Sequence, residues 1–139
     1  MISVEFGYIR EKLDFLKEKY DVVIFGSFVN GEMRPKSDID IAVITHRTDK
    51  EINIKIQKNL FGKAPLKFEI RVFELLPIYI QFSIIENYRV VYGDLLEISE
   101  YFYQFRKKWD DCKNRILMNQ FKNISEKLQL LERRIEYLE

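Results

Sequence analysis

Apolar residues at Phe6, Ile9, Leu13 and Leu16 recur at spacings of three and four, predicting an amphipathic helix within Val4–Tyr20. Val22-Val23-Ile24-Phe25 then forms a short β-branched and apolar run that stops at Gly26, as a buried strand does. Asn30, Gly31 and Pro35 suit a turn or a broken helix between Phe28 and Pro35, and a second apolar strand follows at Ile39, Ile41, Ala42, Val43 and Ile44. Thr48-x-x-Glu51 reads as a capping box, with Ile52, Ile56 and Leu60 at helical spacing until Gly62. Ile52, Ile54 and Ile56 also alternate with polar neighbours, so a strand competes there. From Lys67 to Phe73, Phe68, Ile70 and Val72 take one face of a strand, and Lys67, Glu69 and Arg71 the other. Pro77 opens a helix running to about Asn87, and Arg89–Tyr92 makes a last short strand ended by Gly93.

Beyond Ile98 there is neither glycine nor proline. Ile98, Phe102, Phe105, Trp109, Cys112 and Ile116 form one helical seam, and Leu117, Phe121, Ile124, Leu128, Leu131, Ile135 and Leu138 form a second that restarts out of phase. One long helix shifts its buried face there, or two helices meet at a bend. The pattern as a whole predicts an α/β domain over 1–95, with a small mixed sheet and flanking helices. A C-terminal helical extension over 96–139 packs on the domain or forms an interface.

Composition narrows the chemistry. At 139 residues and 47% hydrophobic, the chain buries one core. Lys plus Arg number 23 against 22 for Asp plus Glu, so no global basic field draws nucleic acid or a membrane surface. The N-terminal stretch lacks a signal-peptide pattern, and a cytoplasmic protein without a membrane span is expected. A lone Cys112 and a lone His46 leave no zinc cluster and no internal disulfide.

The stretch that carries chemistry runs from Gly26-Ser27, at the end of one strand, to Asp38-Ile39-Asp40, at the opening of the next. Residues two apart on an extended chain point to the same side, so Asp38 and Asp40 project together while Ile39 and Ile41 pack inward. Two like charges in one small volume call for a cation, and magnesium, with its preference for oxygen ligands and substrate phosphates, suits them. Gly26 permits close backbone approach to a phosphate, and the amides and hydroxyl around Ser27 can donate to it.

Gly-Ser, ten residues, then Asp-x-Asp resembles the signature of the nucleotidyltransferases related to DNA polymerase beta, in particular their minimal bacterial and archaeal branch. The resemblance runs from the first helix to the strand near Tyr92 and implies the palm-like nucleotidyltransferase fold. It implies ATP as substrate, two magnesium ions, Gly26, Ser27 and Ser37 at the nucleotide, and Asp38 and Asp40 as catalytic metal ligands. The family's third carboxylate, usually aspartate, maps best onto Glu69, with Glu74 the other candidate. Where the family often has an arginine this chain has Asn30, and Arg34 or Lys36 are the candidate replacements. The implied activity is transfer of a nucleoside monophosphate, AMP from ATP, to an acceptor hydroxyl. Small proteins of this branch are often antitoxins beside a helical HEPN-type ribonuclease toxin, which some silence by adenylylating a tyrosine. That toxin is the implied partner. The alternative is a non-catalytic nucleotide-binding or partner-sequestering module acting as a homo- or hetero-oligomer through its C-terminal helices.

Other eye-catching residues read as structure. His46 sits where a surface histidine is usual, and Cys112 fits the apolar seam. Phe102, Phe105 and Trp109 are packing residues rather than a nucleobase platform. Arg106, Lys107 and Lys108 precede Asp110 and Asp111 and make a solvated helix face.

Overall fold

The structure, a computed structural model, describes residues 6–31, 38–111 and 115. The chain divides into two compact units, Met1–Phe105 and Arg106–Glu139. Of the second, residues 106–111 and 115 are helical. Ser37, Arg34, Lys36, Cys112, Ile116 and the seam from Leu117 to Leu138 lie outside the described residues.

The first unit orders its elements as α1 (Phe6–Lys12), β1 (Asp21–Phe25), α2 (Ser27–Asn30), β2 (Ile39–Ile44), α3 (Lys50–Leu60), β3 (Phe68–Val72), α4 (Ile78–Glu86) and β4 (Arg89–Tyr92). Helical residues 95–105, here α5, close it. The four strands form one sheet in the order β3-β2-β1-β4. β1 runs antiparallel to both β2 and β4, whereas β2 and β3 are parallel, as the α3 crossover between them requires. This is the expected α/β class with a small mixed sheet.

Strand alternation divides the core in two. Val22, Ile24, Ile39, Ile41, Val43, Phe68, Ile70 and Val72 face a cluster completed by Ile9, Leu13 and Leu16 and by Leu60 of α3. Val23, Ala42 and Ile44 face the opposite cluster, with Phe73, Ile84 of α4, and Ile98 and Phe102 of α5. The first ten residues of the expected extension therefore belong to the first unit, because Ile98 and Phe102 bury completely or nearly so against the sheet. Phe102 lies 4.8 Å from Phe73 and edge-on to Tyr88 at 4.9 Å, and Phe105 meets Phe73 edge-on at 5.1 Å. Both rings pack, as their spacing suggests.

Local boundaries differ from the sequence expectation in two places. The opening helix ends at Lys12 and tightens into a 3-10 turn at Asp14–Leu16, because Lys17–Lys19 offer no further apolar position to bury. α3 is capped by Asp49 rather than Thr48: the Asp49 carboxylate accepts from the amides of Glu51 and Ile52 at 2.9 and 3.3 Å. A carboxylate at that place satisfies orphan amides and complements the helix dipole. The helix prevails over the competing strand at Ile52–Ile56.

β3 is an edge strand, and Gln57 of α3 covers its open side. The Gln57 amide donates to Ile70 O at 2.9 Å and accepts from Val72 N at 2.7 Å, replacing a neighbouring strand with one side chain. Gln57→Leu leaves both backbone groups unpaired. The expected cost is about 1–3 kcal/mol, read as a lower urea midpoint with an unchanged slope.

Candidate active site

β1 ends at Phe25, and the chain turns at Gly26 with φ 76° and ψ −143°, a region that side chains disfavour. The Gly26 carbonyl accepts from Val29 and Asn30 at 3.1 and 3.0 Å, starting the short helix α2, and Gly31 ends it in the left-handed conformation. In the first turn of such a helix the amides have no intrahelical acceptor, and these belong to Ser27 and Phe28.

Register then places the acids. Phe25 pairs with Asp40 across the antiparallel ladder, and Asp40 pairs with Glu69 across the parallel one. Three registered strand positions, Phe25, Asp40 and Glu69, thus bring Gly26, the residue after Phe25, into a row with the two acids. A Cβ at Gly26 would collide with Asp40 Oδ2, so the glycine is needed for space as well as for its backbone angle. Asp38 precedes β2 and is exposed, while Asp40 is half-buried within the strand.

Crowding has an electrostatic signature. Burial, followed by the negative charge of Glu69, a hydrogen bond with it, and the charge of Asp38, pushes the Asp40 carboxyl up from 3.8 to about 6; Arg71 opposes the shift. Arg71 Nε donates to Glu69 Oε1 at 2.9 Å from the same strand face, and Nη2 contacts the same oxygen. Both side chains of that pair reach solvent, so it adds little stability and can be exchanged for another cation. The pairing follows from the two-residue strand period, although nothing in the sequence marked Arg71 as part of the site.

The donor set fits magnesium. Among the described residues, no three His, Cys, Asp or Glu side chains are grouped closely enough to hold a metal ion by themselves, so substrate phosphates and waters would have to complete the site. Magnesium ordinarily takes one or two carboxylates, waters and substrate phosphates rather than an all-protein cage. Burial and the neighbouring acids make a negative charge on Asp40 costly, and a divalent cation bound there would offset that cost.

Glu74, the other candidate for third acid, lies elsewhere. Its carboxylate accepts from the amides of Thr45 and His46 at 3.1 and 2.9 Å and from the Tyr101 hydroxyl at 2.6 Å. That is the opposite end of β2 from Asp40. There His46, at φ 58°, also meets Asp21 Oδ2 at 2.6 Å and packs at a tilt against Tyr101, ring centres 4.3 Å apart. The surface histidine therefore has a structural task, tying the end of β2 to β1 and α5, which its solitary place in the sequence did not reveal. Asn30, the position where an arginine was the family expectation, hydrogen-bonds Asn87 and closes α2 onto the turn before β4.

Residues 9–94 match the family model described as "Polymerase beta, Nucleotidyltransferase". The chain belongs to the polymerase beta nucleotidyltransferase family. As a nucleotidyltransferase it is 39% identical over 118 residues to a protein of Methanocaldococcus jannaschii, spanning 85% of this chain and 92% of the relative; that relative is provisionally named a protein adenylyltransferase. The nucleotidyltransferase fold also recurs in solved structures. A chain of a toxin–antitoxin crystal structure with AMP-PNP superposes with a TM-score of 0.56 at 18% identity, covering 81% of this chain and 96% of that one. A chain from a mutant MntA–HpeT toxin–antitoxin structure gives 0.54 at 17% identity, covering 82% and 96%. No helix among the described residues is long and apolar enough to cross a membrane.

Proposed function

We propose that this nucleotidyltransferase is a magnesium-dependent protein adenylyltransferase, moving AMP from ATP to a tyrosine hydroxyl of a HEPN-type toxin and so acting as its antitoxin. The observation that carries the reading is the row of Gly26, just past the end of β1, with Asp40 on β2 and Glu69 on β3, and Asp38 directly before β2. The adenylyltransferase name of the 39% identical relative supports the reaction class. The toxin–antitoxin context of the structural neighbours, one with AMP-PNP, supports nucleotide and partner.

In this reading Gly26, Ser27 and Ser37 receive the triphosphate, and Asp38, Asp40 and Glu69 hold two magnesium ions. Bound there, the metal supplies positive charge to the phosphates and the attacking oxygen. Glu69, at the outer end of the row, takes the acceptor proton. The helices beyond residue 95 provide the contact with the toxin or with a second copy of the chain.

Incubation with α-labelled ATP, magnesium and a HEPN-type partner tests this directly. Label should reach the partner with the wild type and not with Asp38→Ala or Asp40→Ala. Glu69→Gln should stop transfer while keeping nucleotide binding, whereas Glu74→Gln should transfer normally and lose about 1–3 kcal/mol of stability through its unpaired amides. Loss of transfer in Glu74→Gln, with Glu69→Gln active, removes Glu69 from the site. Nucleotide binding without transfer to any hydroxyl favours a non-catalytic, partner-sequestering module.

A further inference from the structure

Between Ile52 and Phe68 the chain carries Lys55, Lys58, Lys63 and Lys67 and no aspartate or glutamate, although acids and bases balance over the whole sequence. The stretch covers most of α3, the turn after it and the start of β3. Packing sends the lysines outward. Asn53 and Leu60 are buried and Gln57 is bonded to the β3 backbone, so Lys55 and Lys58 fall on the outer side of the helix as neighbours three residues apart. Lys63 is exposed in the turn, its amide donating to Leu60 O at 3.3 Å. Lys67 stands where β3 begins, its carbonyl accepting from Ile39 N at 2.9 Å. Among the described residues, none of these four lysines has an ion-pair partner.

Two large apolar side chains stand in water within this positive stretch: Phe61 is 73% exposed and Leu66 104% exposed. Each forgoes the burial that a side chain of its size ordinarily gains. Both line a concave groove of about 420 Å³, together with Leu60, Ala64 and Phe68. An apolar centre with a rim of one charge sign has the make-up of a recognition surface rather than of ordinary solvated surface.

We propose that the α3–β3 turn is a docking surface for an acidic segment of a partner protein, which sets an apolar side chain into the groove lined by Phe61 and Leu66 and its carboxylates over Lys55, Lys58 and Lys63. The sign of the rim selects an anionic occupant and disfavours a cationic one. The shape selects its class. A bilayer is flat and leaves a concave groove unfilled, while single-stranded nucleic acid relies on successive aromatic platforms, and Phe61 is the one exposed ring of the stretch. A protein segment can place an apolar side chain and carboxylates at separate points of its length. The surface goes beyond the adenylyltransferase reading, needing no transfer chemistry, and it is distinct from the helices beyond residue 95 assigned to partner contact above.

The acetylated and amidated peptide Glu-Asp-Leu-Phe-Glu-Asp is a probe that needs no knowledge of the natural partner. Titrated into the full-length chain without ATP or magnesium, it should shift the resonances of Phe61, Ala64 and Leu66, and its affinity should fall as ionic strength rises. Leu66→Ser should weaken it about tenfold, as should the double variant Lys58→Glu with Lys63→Glu. Both variants should melt close to the wild type, because the altered side chains are exposed. The same peptide with serine in place of leucine and phenylalanine should bind at least about tenfold more weakly. Absence of shifts at Phe61 and Leu66 would overturn the proposal, as would equal binding of the serine peptide or undiminished binding by both variants. Tighter binding of oligothymidylate would assign the surface to nucleic acid, and tighter binding of phosphatidylserine vesicles would assign it to a membrane; either overturns it. Since neither nucleotide nor metal is present, failure of this test leaves the adenylyltransferase reading intact.

Discussion

Asp40→Asn should abolish transfer and, in the absence of metal, make the protein more stable. The loss of rate is expected to be on the order of 10³-fold or more, since a charge that organises the reacting phosphates is gone. The gain in stability follows from the raised Asp40 carboxyl. Between about pH 4 and pH 6 the folded protein holds a proton there that the unfolded chain has released, so this group's contribution is full below about pH 4 and is lost as pH rises through about 6. At neutral pH the wild type carries an unfavourable negative charge beside Glu69 and Asp38, which asparagine removes. Because Asp40 remains partly exposed, solvent screening reduces the effect to about 1 kcal/mol, a few degrees in melting temperature. Thermal melts of both proteins at pH 4 and pH 7.5 check it: the curves should coincide in acid and separate at neutral pH. Magnesium should raise the melting point of the wild type more at pH 7.5 than at pH 5, where protons compete for Asp40, and should leave Asp40→Asn nearly unchanged.

Gly26→Ala is expected to damage both folding and transfer without touching a charged group. The backbone there, at φ 76°, costs a non-glycine residue about 1–2 kcal/mol. The added methyl must also displace the Asp40 carboxylate, which occupies the space a Cβ would take. A shift of about 1 Å in a group that positions the reactants costs roughly 10²-fold in rate. Denaturant titration and single-turnover transfer measure the two effects separately. Gly31→Ala serves as the control, because it shares the positive φ but meets no atom within 4 Å. It should lose stability and keep most of its transfer rate. Equal loss of rate in both variants would show that Gly26 matters only for its backbone angle.

Much of the local structure is written in the residue pattern. The period-two run of Phe68, Ile70 and Val72 against Glu69 and Arg71 specifies both a strand and which side chains share its polar face. Gly26-Ser27 and, after ten intervening residues, Asp38-x-Asp40 are readable as one unit because each half sits at the end of an apolar strand. The α3 cap falls one residue after the Thr48 that the capping box predicts, since Thr48 and Asp49 are both good capping residues and only the turn after β2 selects between them.

The sequence by itself determined the strands, the helices, the family and the placing of Asp38 and Asp40 at the opening of β2, because those depend on period, on turn chemistry and on residues close together in the chain. Only the tertiary structure decided what lies across strands. Glu69 and Glu74 are five residues apart and alike in composition, yet parallel pairing sets Glu69 beside Asp40 while the 3-10 turn after β3 carries Glu74 to the amides of Thr45 and His46. The crowding that raises Asp40, the fit of Gly26 against it, and the use of Gln57 to close the sheet edge are likewise contacts between residues distant in sequence. Hydrophobic periodicity assigns a side chain to a face; register assigns it a neighbour, and register is fixed only when strands and helices bury their apolar faces together.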